Sequence, residues 1–563
     1  MNYKILVKSL SLLLIPLFTS CEGMLNKEYD VQLGKDQILN NVDLMTGLQS
    51  NIYYYLPRNN GTSYNCISSA MLDCATDDGM ESSNTSDIHK MTNGAWGPLN
   101  VIDDQWSGLY AGIRKCQTFF YYVGQTKVIP NDSVLGNDGK PTDQSQLRNR
   151  LVGETYFLQA LFYFELIKRY GDVPMITKML NPVLSELDVP RTPYNQIVDS
   201  IVSWCDKAVP VLPIQYSDAS KGRANKGAAL MLKSRTLLYS ASLLNNPSND
   251  VSKWAFAAKA AKDVIDLSEN NGNTYTLNAT FDTPFFTVFD KEIILPCTYS
   301  NRSDIESMNI PNGYSRGQGH TNPTQNLVDA FEIKVNGVYV PYDPTNTAHE
   351  AKMYSTDRDP RLAGTVLYNG TLFKGRNVET FVGGLDGLNK TIDYTKTGYY
   401  LKKFVNPTIN LDENGTSLRS WILFRYAEAL LNYAEAQNEA LSSPDASVYQ
   451  RLSQVRVRSM GNAGNLDPSL GWTQDQMRQR IRNERRVEFA FEEHRFWDLR
   501  RWNIASDVLN KPIYGINISN GTVTATKTRF KVEDRVFDSK MNLCPISQNT
   551  ALKAPKTGQT KGW

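Results

Sequence analysis

Apolar positions run along this chain in blocks of helical period, separated by polar stretches rich in glycine and asparagine. The strongest block is Leu151–Tyr170, LVGETYFLQALFYFELIKRY. Apolar residues cover most of its circumference, so it predicts a helix buried on several sides. Gly171 and Pro174 supply its stop. Pro193–Val211 follows, with Tyr194, Ile197, Val198, Ile201, Val202 and Trp204 on one side. Next come Lys226–Leu244 and Ser252–Leu267, divided by the turn signal Asn245-Asn246-Pro247-Ser248. Leu418–Ala440, Val448–Met460 and Thr473–Arg501 are the C-terminal helical blocks. Asp36–Tyr55 and Val101–Val123 precede them all.

Lys226–Leu267 and Leu418–Met460 each combine two helices with small residues at the contacts. That pattern predicts helical hairpins of the tetratricopeptide type, with an irregular period. The stretch Ser268–Ser417 differs. It is rich in Gly, Asn, Thr, Asp and Tyr, and its apolar runs are short, as in Glu292–Leu295 and Tyr399–Phe404. Asn59–Pro98 reads the same way. Asn510–Asn542 alternates polar and apolar residues, which predicts a hairpin ahead of an extended tail. The expected fold is mainly α: a tetratricopeptide-like helical repeat scaffold with an irregular, loop-rich lobe containing short strands. The scaffold is expected over about 36–267 and 418–502. The lobe takes about 59–98 and 268–417, and the hairpin and tail 503–563. Long irregular insertions in a helical scaffold are where binding concentrates.

The N-terminus reads as a targeting segment. Lys4 and Lys8 precede the apolar run Leu10–Phe18, and Leu17-Phe18-Thr19-Ser20-Cys21 ends it. The run is too short to span a bilayer, which takes about 20 residues. A cysteine at the cleavage position predicts a lipoprotein signal at 1–20, lipidation of Cys21 and a tether over 21–35. Acylation by more than one chain anchors a protein without a transmembrane helix.

Composition narrows the function. The 563 residues carry 60 Lys+Arg against 58 Asp+Glu, a net charge of +2, with 29 Tyr, 21 Phe, 9 Trp and only 4 His. The aromatic content and charge balance exclude a disordered chain. The absence of a basic excess argues against phosphate-driven nucleic-acid binding. Beyond Cys21 the cysteines are Cys66, Cys74, Cys116, Cys205, Cys297 and Cys544, with no CxxC spacing. Buried thiols, with at most one bridge, are expected.

Catalytic signals are weak. Gly313-Tyr314-Ser315-Arg316-Gly317 matches GxSxG, but a nucleophile elbow needs a strand before it and a helix after it, and the flanks here read as loop. His320, His349 and His494 do not complete a triad by position. Asp77-Asp78 and Asp103-Asp104 are neighbouring carboxylates, whereas glycoside hydrolysis needs two carboxyls about 5–9.5 Å apart across a sugar. Capping and loop hydrogen bonds suit them better. Arg482–Arg501, RNERRVEFAFEEHRFWDLRR, nearly balances its charges, and predicts ion pairs that lock the last long helix to its neighbours. Aromatic residues in the loops are the better lead. Trp96 sits among Gly and Pro, and Tyr299 and Tyr314 lie in the central region, with Asn301, Arg302 and Arg316 beside them. An exposed ring packs on the apolar face of a sugar, and amide or guanidinium neighbours bond its hydroxyls.

Five segments carry a family resemblance: the lipoprotein start ending at Cys21, Gly153–Thr177, Arg358–Val366 with Gly398–Phe404, Trp421–Ala440, and Asn483–Trp502 with the tail LCPISQNT…GW. In this order they resemble the SusD/RagB family of outer-membrane lipoproteins of Bacteroidetes. The resemblance implies a lipid-anchored, outward-facing, non-enzymatic protein that binds an oligosaccharide and covers a SusC-like TonB-dependent transporter. Its helical repeats would meet the transporter and its loops the ligand. The loop from Asp77 and Asp78 to Trp96, and the loops from Tyr299 to Tyr314, resemble regions that supply binding residues in relatives. No cofactor and no nucleic-acid partner are expected, and an incidental structural Ca2+ stays open. Peptide capture is the alternative within the family, and an extracellular hydrolase the remoter alternative outside it.

Overall fold

The computed structural model describes residues 38–56, 66–67, 69–126, 134–135, 141–142, 144–180, 188–216, 220–298, 301–388, 390–391, 393–522 and 524–563. The signal and tether expected over 1–35, Cys21 as the expected lipidation site, Tyr299 and part of the 59–98 loop lie outside them. Ten helices build the scaffold: α1 Val42–Ser50, α2 Trp106–Val123, α3 Gln144–Tyr170, α4 Tyr194–Ala208, α5 Lys226–Ala241, α6 Val251–Glu269, α7 Tyr426–Ala440, α8 Ala446–Met460, α9 Gln474–Glu488 and α10 His494–Arg501. From α2 to α6 each helix packs on the next, as the hairpin pattern predicts. α7 then packs on α6 and α8 on α7, so the long insertion between α6 and α7 leaves the stack unbroken. No described helix is long and apolar enough to cross a membrane.

Small residues set the spacing. Ala257, Ala258, Ala260 and Ala261 of α6 are buried, as are Ala427, Ala429, Ala434 and Ala436 of α7. Where α2 crosses α3, Gly112 leaves room for the fully buried Phe162 ring, which would lie 2.7 Å from a Cβ at position 112. Side-chain caps start several helices: Asn225 accepts from Ala228 N before α5, Asp445 from Ser447 N and Val448 N before α8, and Thr473 forms a capping box with Gln476 before α9.

In two helical blocks a distant partner overrides the periodicity. In Leu418–Ala440 the residues SWILFR form a strand, β2 Ser420–Arg425, antiparallel to β1 Ile293–Thr298. The helix begins only at Tyr426, whose N–H donates to Glu292 O. Aromatic and β-branched residues favour that pairing. Thr473–Arg501 breaks after Glu488. Phe491 and Glu493 take φ of 63° and 70°, and the Asp73 carboxylate accepts both of their backbone N–H groups, at 3.0 and 3.3 Å. A buried acceptor from another segment thus replaces the helical carbonyls.

All sheets among the described residues are two-stranded. The expected C-terminal hairpin pairs β3 Ile513–Ile518 with β4 Lys527–Glu533. The short pair Gly79–Glu81 and Thr321–Pro323 joins the early loop to the central lobe. The α9–α10 region makes the expected ion pairs, and they are buried. Arg361 meets Asp359, Glu484 and Glu488, Arg425 meets Glu292, Glu488 and Glu492, and Arg501 meets Glu435 and Asp498. Buried charges persist only when paired and hydrogen-bonded in this way. Cys74, Cys116, Cys205, Cys297 and Cys544 are buried.

Candidate functional site

The central lobe presents a polar surface built on the loop Pro311–Gly319. One glycine lets this loop fold back on itself, and another lets the segment around Leu385 approach it. A Cβ at Gly317 would lie 2.3 Å from Pro311 O, and one at Gly313 would lie 2.5 Å from Leu385 O. Tyr314 is half-buried. Its hydroxyl donates to Phe373 O at 2.9 Å, its ring meets Phe373 edge-on, and the Arg376 guanidinium covers it at 3.6 Å from the centroid. Arg376 is held in place by Asp386 through bonds of 2.7 and 2.9 Å. Burial pushes the Tyr314 phenol up to about 12, so it stays a neutral donor.

Ser315 and Arg316 point the other way, onto the segment 409–417. Ser315 Oγ donates to Asp412 at 2.7 Å, and Arg316 bonds Leu411 O and Asn414 Oδ1. The same segment receives Arg302: its backbone exchanges hydrogen bonds with Ser417 at 3.0 and 2.9 Å, and its side chain pairs with Asp304. Asn301, Ser315, Arg316, Gln318, Asp412 and Asn414 are exposed. At the edge of this surface His320 stands between the buried Glu81 carboxylate, at 2.8 Å, and Gln318, at 3.0 Å. The strand pair Gly79–Glu81 with Thr321–Pro323 makes that meeting possible.

The surface offers donors and acceptors beside a covered ring, and no assembled nucleophile. The hydrogen-bond partner of Ser315 is Asp412, while His320 is engaged by Glu81 and Gln318. GxSxG here is a loop packing motif. Among the described residues no group of three or more His, Cys, Asp or Glu could hold a metal ion.

Of the residues singled out from sequence, the structure brings Asn301, Arg302, Tyr314 and Arg316 onto this lobe. It corrects three others. Trp96 is 2% exposed and packs edge-on against Trp563 at 5.6 Å, so its ring is core and presents no face to solvent. Asp77 and Asp78 are buried as well. Asp77 accepts from Arg495 Nε and Nη2, and Asp78 accepts from Arg486 Nε at 2.6 Å. Burial alone would raise the Asp77 carboxyl, but Arg486 and Arg495 outweigh it and hold the group well below its usual range. Both aspartates fasten the early loop to α9 and α10. Sequence reasoning passed over Arg376, Gln318, Asp412 and Asn414. No spacing signal marks them, because distant turns bring them together. A cleft of about 720 Å³ opens over the buried Tyr275, Tyr426 and Tyr449 and shares no lining residue with this polar surface.

Comparison with known proteins finds relatives of the chain. A model described as "SusD family" matches residues 269–563, and one described as "Starch-binding associating with outer membrane" matches residues 25–238. SusD-like protein P25 of Formosa agariphila is 25% identical over 425 residues, covering 72% of this chain and 71% of the relative. The crystal structure of a SusD-like protein from Bacteroides fragilis superposes with a TM-score of 0.76 at 25% identity, over 94% of this chain and 98% of the other. A SusD-like carbohydrate binding protein from the same species gives 0.76 at 23% identity, over 92% and 99%.

Proposed function

The chain belongs to the SusD family, and on that premise we propose that it is a lipid-anchored, outward-facing outer-membrane protein that captures an oligosaccharide for a SusC-like TonB-dependent transporter. The observation that carries the ligand reading is the polar surface around Tyr314 and Arg316. Exposed amide, hydroxyl, carboxylate and guanidinium groups lie there beside an arginine-covered tyrosine. Such groups bond sugar hydroxyls directionally, and a neutral sugar suits a chain with a net charge of +2. The starch-binding description of the matching model and the carbohydrate-binding relative support the class of ligand.

Cys21 would carry the anchor, the α2–α8 stack would face the transporter, and the loop lobe would hold the ligand. The protein acts by binding and needs no cofactor. A glycan array probed with the mature protein tests the reading. Retention of at least one oligosaccharide class, weakened in Arg316→Ala, is expected. Retention of no glycan, or hydrolysis of one, would overturn it. For the anchor, Cys21→Ser should move the chain from the membrane to the soluble fraction. Co-purification with a TonB-dependent transporter tests the partner.

A further inference from the structure

One arginine of α9 is bonded differently from the other arginines of α9 and α10. Arg478, Arg480, Arg485, Arg486, Arg495, Arg500 and Arg501 all donate to carboxylates or carbonyls. Arg482 is half-buried and makes no hydrogen bond or ion pair among the described residues. Its guanidinium carbon lies 4.8 Å from the Trp502 ring centroid, and the carboxylates of Glu435 and Glu439 are near enough to act on its charge. Arg501 lies at the same distance from that ring, but Glu435 and Asp498 satisfy it.

Arg482 lines a cleft of about 350 Å³ on the helical scaffold, whose apolar walls include Trp254, Ile481 and Ile504. Carboxylates line it too, and each already has a bonded cation. Glu435 binds Arg501 and the Trp502 Nε1 at 2.7 Å, Glu439 takes two 2.7 Å bonds from Arg478, and Asp475 also pairs with Arg478. Arg482 is therefore the group whose hydrogen-bonding edge is left for a ligand. A guanidinium with no hydrogen-bonded partner keeps its N–H fork free, and that fork takes a carboxylate through two parallel bonds. The cleft volume is at the small end of ligand sites, the size of a single ring with its substituents.

We propose that this cleft binds a carboxylate-bearing ligand of about the size of one sugar acid, with Arg482 clamping the carboxylate and the walls around Trp254 covering the carbon skeleton. The site is separate from the loop lobe, and its ligand differs from a neutral oligosaccharide by the charge it must carry.

Calorimetric titration of the mature chain with sodium glucuronate tests the assignment, with glucose as the neutral control and acetate as the carboxylate without a ring. Glucuronate should bind, acetate more weakly, and glucose not at this site. Arg482→Gln should weaken glucuronate about tenfold or more, the scale of a charge-assisted hydrogen bond, while leaving neutral-glycan retention on the loop lobe unchanged. Arg482→Lys, which keeps the charge but not the fork, should fall between. Gln479→Glu places a carboxylate on an exposed position lining the same cleft and should also weaken glucuronate, without touching the core. The proposal is overturned if the wild-type chain does not bind glucuronate, if glucose binds there equally well, or if folded Arg482→Gln and Gln479→Glu bind it like the wild type.

Discussion

Asp77 and Arg495 are joined by two parallel hydrogen bonds of 2.9 Å across 418 residues of chain. The pair is buried and shares its site with Arg486, Asp78 and the Asp73 carboxylate that bends the backbone between α9 and α10. The loop that carries Asp73, Asp77 and Asp78 and the last charged helices are thus built together.

Removing one partner of that pair should be costly. Asp77→Ala strands Arg495 without its carboxylate and is expected to destabilise the chain by about 3–5 kcal/mol. Urea unfolding followed by tryptophan fluorescence would measure it, and a loss below about 1 kcal/mol would contradict the buried-pair reading.

Stability should depend on pH in opposite senses on the two sides of mild acidity. Burial opposes ionisation of Glu165 and Glu435, but Lys168 and Arg169 around the first, and Arg501 and Arg485 around the second, hold both down to about 2. Their contribution is present above the ordinary value of 4.5 and is lost as pH falls toward 2. Asp73 and Glu493 behave in reverse. Burial, with Asp78 near the first and Glu165 near the second, raises them to about 8 and about 7. The folded state then holds protons that the unfolded state releases, so stability is full below their ordinary values and falls as pH rises through 7 to 8. Urea midpoints should therefore be highest near about pH 5 and lower at about pH 3 and 8. Asp73→Asn should flatten the alkaline side of that curve.

Gly112→Ala should destabilise although alanine favours helices. The new methyl would overlap Phe162, and overpacking of this kind costs about 1–3 kcal/mol. A lowered thermal midpoint would show it, and Phe162→Leu in the same chain should recover part of the loss.

Trp96 and Arg316 should separate folding from binding. Trp96→Ala empties a core position and is expected to cost about 3–5 kcal/mol, with retention of glycan per folded molecule unchanged. Arg316→Ala, at an exposed position, should leave the melting temperature nearly unchanged and reduce retention about tenfold, roughly 1.4 kcal/mol. Affinity electrophoresis beside a thermal melt reads both quantities.

The scaffold was legible because a helix buried on one side writes its period into the chain, as Tyr194 to Trp204 does. SWILFR and the 489–493 break were not, because each is decided by a distant partner: the β1 strand in one case, the Asp73 carboxylate in the other. The same limit applies to the ligand lobe. Tyr314 stood out as an aromatic in a loop, yet Arg376 reaches its ring, and Asn414 reaches Arg316, only through turns whose closure no local pattern records. Trp96 misled for the converse reason. A glycine- and proline-rich segment marks irregular backbone, and irregular backbone can still bury a side chain when a tail residue such as Trp563 folds over it.

The bend between α9 and α10 also bears on how the molecule comes apart. Two family models meet this chain on either side of α6, which invites cutting it there. The carboxylate that shapes the bend comes from Asp73, in the first part, while the bend itself lies in the second. Neither fragment retains both members of that contact, nor of the Asp77–Arg495 pair. The seam between the two matches is therefore no folding boundary. The amides of Phe491 and Glu493 should exchange with deuterium only in the same global opening that frees the first loop.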